Sequence, residues 1–355
     1  MRTKNLYHQR VQALLKAIKP ECEACLIEDP IDLYYLTGLT LSTGRLLVGS
    51  KTTLFVDGRY TEMCQKHSPF PVRLLNTPLE EIVKVARLGF DGAATTYQTY
   101  EKYKRALKKS VALVSLDAPV VQLRAVKDPQ ELQALKKAAL LGSKGYDYAC
   151  SLLVEGISEE QVAMELEIFW KRHGACGSAF APIIAFGENS SMPHYRSGAR
   201  KLRNGDIVLI DIGVTLNHYH SDMTRTLFFG KAKPELLAIH KIVQEAQERA
   251  LQQCKAGVTI GTVDAAARDY IAKKGHAKHF NHGLGHGVGL AVHELPVLKN
   301  VPPYASQKLQ KGMVVTVEPG IYLPGIGGVR IEDTVVITEE GYVDLTKRPH
   351  GVRVV

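Results

Sequence analysis

Asp211 ends the apolar run Asp206-Ile-Val-Leu-Ile-Asp211, and Asp222 lies near the start of a second run, Ser221-Asp-Met-Thr-Arg-Thr-Leu-Phe-Phe229. If the runs pair around a tight turn at Leu216-Asn217, the midpoint of 211 and 222 falls between those two residues. Asp211 and Asp222 then face each other, with Cβ atoms about 5 Å apart. Bare carboxylates so placed repel and resist burial, which calls for positive charge between them. The pattern recurs downstream, where Met313-Val-Val-Thr-Val-Glu318 and Gly328-Val-Arg-Ile-Glu332-Asp have their carboxylates centred on Gly325. Four unrelated polar strand ends would be the plainer reading, but it leaves the repeated placement unexplained. Four carboxylates around one divalent cation leave negative charge over, whereas two cations with a bridging hydroxide nearly balance them. A carboxylate-rich set suits Mn²⁺, Fe²⁺, Co²⁺ or Zn²⁺ better than a thiolate-selecting metal.

A histidine ligand is expected in Asn281-His282-Gly-Leu-Gly-His286-Gly-Val-Gly289, where glycine alternates from Gly283 onward. Such alternation predicts an extended strand with close backbone approach. His282 and His286 would share a face about 13 Å apart, too far to bind one ion together. One can ligate while the other faces substrate, and either would be a satisfied core histidine if the site lay elsewhere. His293-Glu294-Leu295-Pro296 is not a zincin motif, because Val297 stands where that motif needs its second histidine. His194, in Met192-Pro-His-Tyr195, reads by itself as an ordinary surface or core residue.

These residues need a scaffold. A chain of 355 residues with 45% hydrophobic and 23% charged composition predicts two globular domains, the larger C-terminal. The N-terminal third mixes an amphipathic helix over Arg10–Ile18 with short strands at Glu23–Ile27, Arg45–Val48 and Thr53–Val56. Asp128-Pro129 marks a helix start, so the boundary is expected between residues 1–124 and 125–355. A long helix then runs towards Leu153, with Gly142 and Gly145 as weak points. Ser158 and Gln161 form a capping box for a second helix reaching about Lys171. Further helices are expected near Pro234–Cys254 and Thr262–Lys273 among strands and glycine-rich turns.

The formal charge of +9 is scattered, as in Lys102, Lys104, Arg105, Lys108 and Lys109, which read as the wet face of a helix. No nucleic-acid signature accompanies it, and nucleic acid is not an expected partner. Six cysteines are few for this length, and Cys22-x-x-Cys25 has no second pair or nearby histidine to complete a zinc site. Free thiols in a reducing cytoplasm are expected. No apolar run is long enough for a membrane span.

At these residues the chain resembles the pita-bread metallopeptidases, in the branch of aminopeptidase P and prolidase. The resemblance spans the chain and rests on D-x-G at Asp211, S-D-x-T-R-T at Asp222, G-H-G at His286, E-P-G-I-Y at Glu318 and R-I-E-D at Glu332. It implies an α+β fold: a C-terminal pita-bread domain of two pseudo-symmetric halves, preceded by a small α/β domain of creatinase/prolidase type that contains Val56-Asp-Gly-Arg-Tyr60. It implies Asp211, Asp222, His286, Glu318 and Glu332 as ligands of two divalent ions, Mn²⁺ first among Mn²⁺, Co²⁺, Zn²⁺ and Fe²⁺. His194, His282 and His293 would line the substrate side, with Arg330 bracing the ligands. Histidines there can donate to a scissile carbonyl, and Arg330 offers a fixed fork to carboxylates. A homodimer is implied as well.

The activity expected from this resemblance is release of an N-terminal residue from peptides with proline second, as an Xaa-Pro aminopeptidase. Metal-bound bridging hydroxide would attack the carbonyl before proline, with Glu318 as proton shuttle. The alternative within the class is prolidase, which cuts only Xaa-Pro dipeptides, and the ligand motifs do not separate the two. Methionine aminopeptidases share the ligands but lack the P-H-Y and H-E-x-P elements. A non-enzymatic binding protein of this fold would be expected to have lost ligands.

Overall fold

The computed structural model describes residues 2–355 and divides into two compact units, Met1–Arg124 and Ala125–Val355. The first unit carries a six-stranded mixed sheet in the order Val72–Leu74, Thr53–Val56, Arg45–Val48, Ala24–Ile27, Arg87–Asp91, Ala112–Leu116. Its central strand, Ala24–Ile27, is buried at every position, as the inner strand of a covered sheet must be. The first helix spans Arg2–Ile18, longer than its amphipathic core alone predicts. Helix Pro119–Arg124 is tied to helix Pro30–Thr37 by a buried ion pair, Arg124 Nη1 to Asp32 Oδ1 at 2.8 Å. Cys22 and Cys25 are buried free thiols. Helix Tyr97–Ala106 takes in Lys102, Lys104 and Arg105, while Lys108 and Lys109 lie beyond its end, so that basic group is only partly one helix face.

The second unit repeats one plan twice. Helices Pro129–Ser151 and Glu159–Arg172 precede the antiparallel sheet of Ile183–Phe186, Ile207–Ile212 and Met223–Phe228. Helices Pro234–Leu251 and Ile260–Lys273 then precede a five-stranded sheet containing Gly285–Gly287, Glu294–Leu298, Val314–Val317 and Asp333–Ile337. Each half has its own apolar core, one around Trp170, Ile210 and Leu227, the other around Val243, Ile271 and Val315. Local chemistry explains the helix starts. Asp128 with Glu131, and Ser158 with Gln161, form reciprocal capping boxes that satisfy amides otherwise left without partners. Helix Pro129–Ser151 runs unbroken through Gly142 and Gly145, where a Cβ would collide with Ser221 and Trp170, so the glycines serve close packing and not a break. Among the described residues no helix is long and apolar enough to cross a membrane.

Candidate active site

Two antiparallel ladders present the acidic side chains. In the first, Ile212 faces Met223 and Asp211 faces Thr224. Asp211 and Asp222 therefore do not face each other as the Leu216-Asn217 turn predicts. The turn lies one residue later, at Asn217-His218, both of which have left-handed φ of 49° and 70°. Two such angles are what a type I′ hairpin requires. Asp222, two residues before Thr224, lies diagonally across from Asp211 instead. In the second ladder Val317 faces Asp333 and Gly320 faces Arg330. That register is symmetric about Gly325 and brings Glu318 level with Glu332, as their midpoint predicts. The ladders meet where Thr224 bridges Glu332.

The side chains converge on one cavity of about 670 Å³, lined by all five carboxylate and imidazole candidates together with His194, His282, His293 and Arg330. Ligating atoms of Asp222, His286 and Glu332 lie within 4.8 Å of one another. His286 Nε2 is 3.6 Å from Asp222 Oδ2 and 3.4 Å from Glu318 Oε1. Its Nδ1 lies 3.0 Å from Gly287 O and so carries the proton, leaving Nε2 as the free lone pair. Thr224 Oγ1 donates to Glu332 Oε2 at 2.6 Å, and Thr316 Oγ1 to Glu318 Oε1 at 3.1 Å. Arg330 Nη2 donates to Asp211 Oδ2, Nε to Thr224 Oγ1 at 3.1 Å, and Nη1 to the Tyr322 hydroxyl at 2.7 Å. Asp211 Oδ1 is buried without a hydrogen-bond partner.

The glycine alternation around His286 serves close packing, since a Cβ on Gly285 or Gly287 would strike the backbone oxygen of Thr316 or Leu295. Only Gly285–Gly287 is strand, however, and His282 lies before it. The expected single strand through both histidines is shorter than predicted because the backbone around His282 is bound elsewhere, its carbonyl accepting from Arg268 Nη2 at 2.8 Å. His282 Nδ1 lies 2.7 Å from Gly283 O, and Nε2 lies 2.9 Å from the Tyr322 hydroxyl. Both ring nitrogens are thus engaged within the protein. Tyr322, Thr224 and Thr316 are the site residues that sequence reasoning missed. The first two stand inside the E-P-G-I-Y and S-D-x-T-R-T motifs, where polar residues beside the ligands were the available signal.

Electrostatics match a site built for cations. Burial raises Asp222 well above the usual aspartate range, with Glu332, Asp211 and Glu318 adding to it. Burial likewise raises Glu332, reinforced by Glu318 and Asp211. Glu318 is pushed up to about 7 by burial, although Arg330 opposes the shift. His286 and His293 are lowered by burial, and His282 is lowered to about 4 by burial and then Arg330. Carboxylates so raised, one neutral imidazole with a free lone pair and one buried carboxylate oxygen without a partner fit oxygen- and nitrogen-seeking divalent ions. Thiols take no part in the cavity.

Comparison with known proteins agrees with this geometry. Residues 133–339 match the Metallopeptidase family M24 and residues 8–126 the Creatinase/Prolidase N-terminal domain. The chain is 37% identical over 347 residues to the Xaa-Pro dipeptidase of Pyrococcus furiosus, covering 96% of this chain and 98% of that one. Its structure is similar to an Xaa-Pro dipeptidase from Bacillus anthracis, with a TM-score of 0.94 at 33% identity over 98% of this chain and 100% of that one. It is also similar to an X-Pro aminopeptidase from Thermotoga maritima, with a TM-score of 0.88 at 32% identity over 98% and 100% of the two chains. The chain belongs to metallopeptidase family M24, with a creatinase/prolidase N-terminal domain ahead of its catalytic unit.

Proposed function

We propose that this protein is an Xaa-Pro dipeptidase, hydrolysing the bond before proline in dipeptides, with two divalent ions, Mn²⁺ first among the candidates, held by Asp211, Asp222, His286, Glu318 and Glu332. The observation that carries the reading is the convergence of four carboxylates and one imidazole on a single cavity. The dipeptidase reading replaces the aminopeptidase preference drawn from the sequence. Relatives named Xaa-Pro dipeptidase support it, from Pyrococcus furiosus and from Pyrococcus horikoshii at 36% identity over 350 residues. So does the cavity, whose lining includes Arg196 and Lys299. Neither side chain has a hydrogen bond or ion pair among the described residues. A dipeptide offers such cations its free carboxylate next to the scissile bond; a longer peptide does not. The same reading has the protein act as a homodimer in a reducing cytoplasm.

When bound, the ions would supply Lewis-acid polarisation and a water acidified towards neutral pH. The protein's own groups supply the rest. Glu318, whose carboxylate lines the cavity beside the other ligands, is placed to take a proton there and pass it to the leaving proline nitrogen. His293 and His194 face the cavity as donors towards the scissile carbonyl. His282, with both nitrogens occupied, holds Tyr322 rather than substrate, and Arg330 keeps Asp211 oriented. Assay of Ala-Pro beside Ala-Pro-Ala on Mn²⁺-loaded protein tests the proposal. Cleavage of the dipeptide alone is expected. Preferential cleavage of the tripeptide would restore the aminopeptidase reading, and hydrolysis of neither would remove both.

A further inference from the structure

The wall of the cavity that carries His293 rests on a second charged pair outside the metal cluster. Lys127 Nζ donates to Glu294 Oε1 at 2.7 Å, with side-chain exposures of only 1% and 2%. A pair so desolvated contributes little net stability over an apolar replacement, so its geometry is the feature to explain. Glu294 follows His293 and pairs with Gly287, the neighbour of His286. Its second oxygen accepts the backbone N–H of Ala291 at 3.3 Å, in the turn leading into strand Glu294–Leu298. A Cβ on Gly289 would collide with the same carboxylate, so the turn closes tightly over it. Lys127 is itself fixed: its backbone N–H donates to Gly312 O at 3.0 Å, Val126 bridges Met313, and Nζ also donates to Ala125 O at 3.3 Å. At the other end of this chain of contacts, the His293 ring stands edge-on to His286 with centroids 4.3 Å apart.

We infer that Lys127 and Glu294 are positioning residues, a buried ion pair that holds the 288–294 turn so that the His293 ring stays against His286 and faces the substrate. The inference rests on the proposed role of His293 towards substrate. Neither Lys127 nor Glu294 lines the cavity, so neither touches the reacting atoms. Removing the ammonium takes that counter-charge away from the buried Glu294 carboxylate, and the turn is expected to shift in response. A displacement of this kind at a catalytic donor costs about 10²-fold in rate.

The test is a kinetic double-mutant cycle on metal-loaded protein with Ala-Pro. Lys127→Met is expected to lower kcat about 10²-fold with KM nearly unchanged. Combined with His293→Ala, it should lower kcat no further than His293→Ala does by itself, because the two act through one ring. Glu294→Gln, which keeps the side-chain length and one oxygen for Lys127 while setting its NH2 against the Ala291 N–H, guards against a Lys127 variant that fails to fold. It should show a smaller loss with the same non-additivity. Histidine ring carbon NMR of Lys127→Met gives a readout that does not need turnover: the His293 signal should move while that of His240, remote in the sheet–helix core, stays in place. Multiplicative losses in the cycle, an unchanged kcat, or an unmoved His293 signal would each overturn the inference. Wild-type protein that cleaves no Xaa-Pro peptide would instead defeat the functional proposal, and the NMR arm would still decide the positioning role.

Discussion

Glu318 and Glu332 stand level with each other across a ladder centred on Gly325, whereas Asp211 faces Thr224 and reaches Asp222 only diagonally. The two hairpins arrive at the same result, a pair of carboxylates on one side of the ladder, by different registers. The reason lies in hairpin geometry. Moving the centre of a turn by one residue shifts every cross-strand partner by two, and a shift of two leaves each side chain on its original face. Convergence of the four acids therefore survives the difference between a turn at Leu216-Asn217 and the turn at Asn217-His218. What changes is who stands opposite Asp211. Thr224 takes that place and receives the Arg330 Nε–H at 3.1 Å, so the diagonal register makes room for the arginine fork between the acids.

Breaking the level pair should have the largest effect. Glu318→Gln removes the proton carrier while preserving its size, and kcat is expected to fall about 10³-fold or more with substrate binding retained. Steady-state kinetics on Ala-Pro, with binding of an uncleaved analogue measured separately, check this, and undiminished turnover would refute the assigned role.

The same substitution should act in the opposite direction on the stability of metal-free protein. In the fold Glu318 holds its proton up to about 7, above its ordinary value of 4.5, because burial opposes the charge. The folded state therefore binds the proton more tightly than the unfolded state, and this group's contribution to stability is lost as pH rises from about 4.5 through about 7. Glu318→Gln escapes that loss. Melting curves without metal should show the variant gaining on wild type between pH 4.5 and pH 8, with little difference at the acidic end. A gap of equal size at both pH values would contradict the sign.

The smallest effects belong to the turns. Gly325 has φ +73° and Asn217 has φ 49°, so Gly325→Val and Asn217→Val should each cost about 1–2 kcal/mol from left-handed backbone strain. Denaturant unfolding measures this directly. Near-zero cost at Asn217 would mean that the turn is not held in the type I′ form, and the diagonal register would lose its explanation.

Much of this architecture was legible because its determinants are local. The helix start at Asp128-Pro129 and the capping box at Ser158 are each set within a few residues of chain, and the apolar runs ending in Asp211 and Glu318 announce buried strands with a charged end. What escaped detection depends on partners far apart in sequence. Lys127 reaches Glu294 across 167 residues and Thr224 reaches Glu332 across 108, and no spacing rule connects such pairs. Alternating glycines around His286 report close backbone approach but do not say how far a strand extends, so His282 was expected on it and lies outside. The choice between dipeptidase and aminopeptidase was also beyond the motifs, because both activities use the same ligands. The proposed dipeptidase reading leans on Arg196 and Lys299 in the cavity lining, which belong to no motif.

The central claim is that four acids and one imidazole are gathered to hold a pair of cations. Calorimetric titration of metal-free protein with Mn²⁺ near pH 7.5 addresses it most directly. Two ions bound per chain are expected, with the stoichiometry reduced by Asp222→Asn; saturation at a single ion, or no uptake at all, would contradict the account.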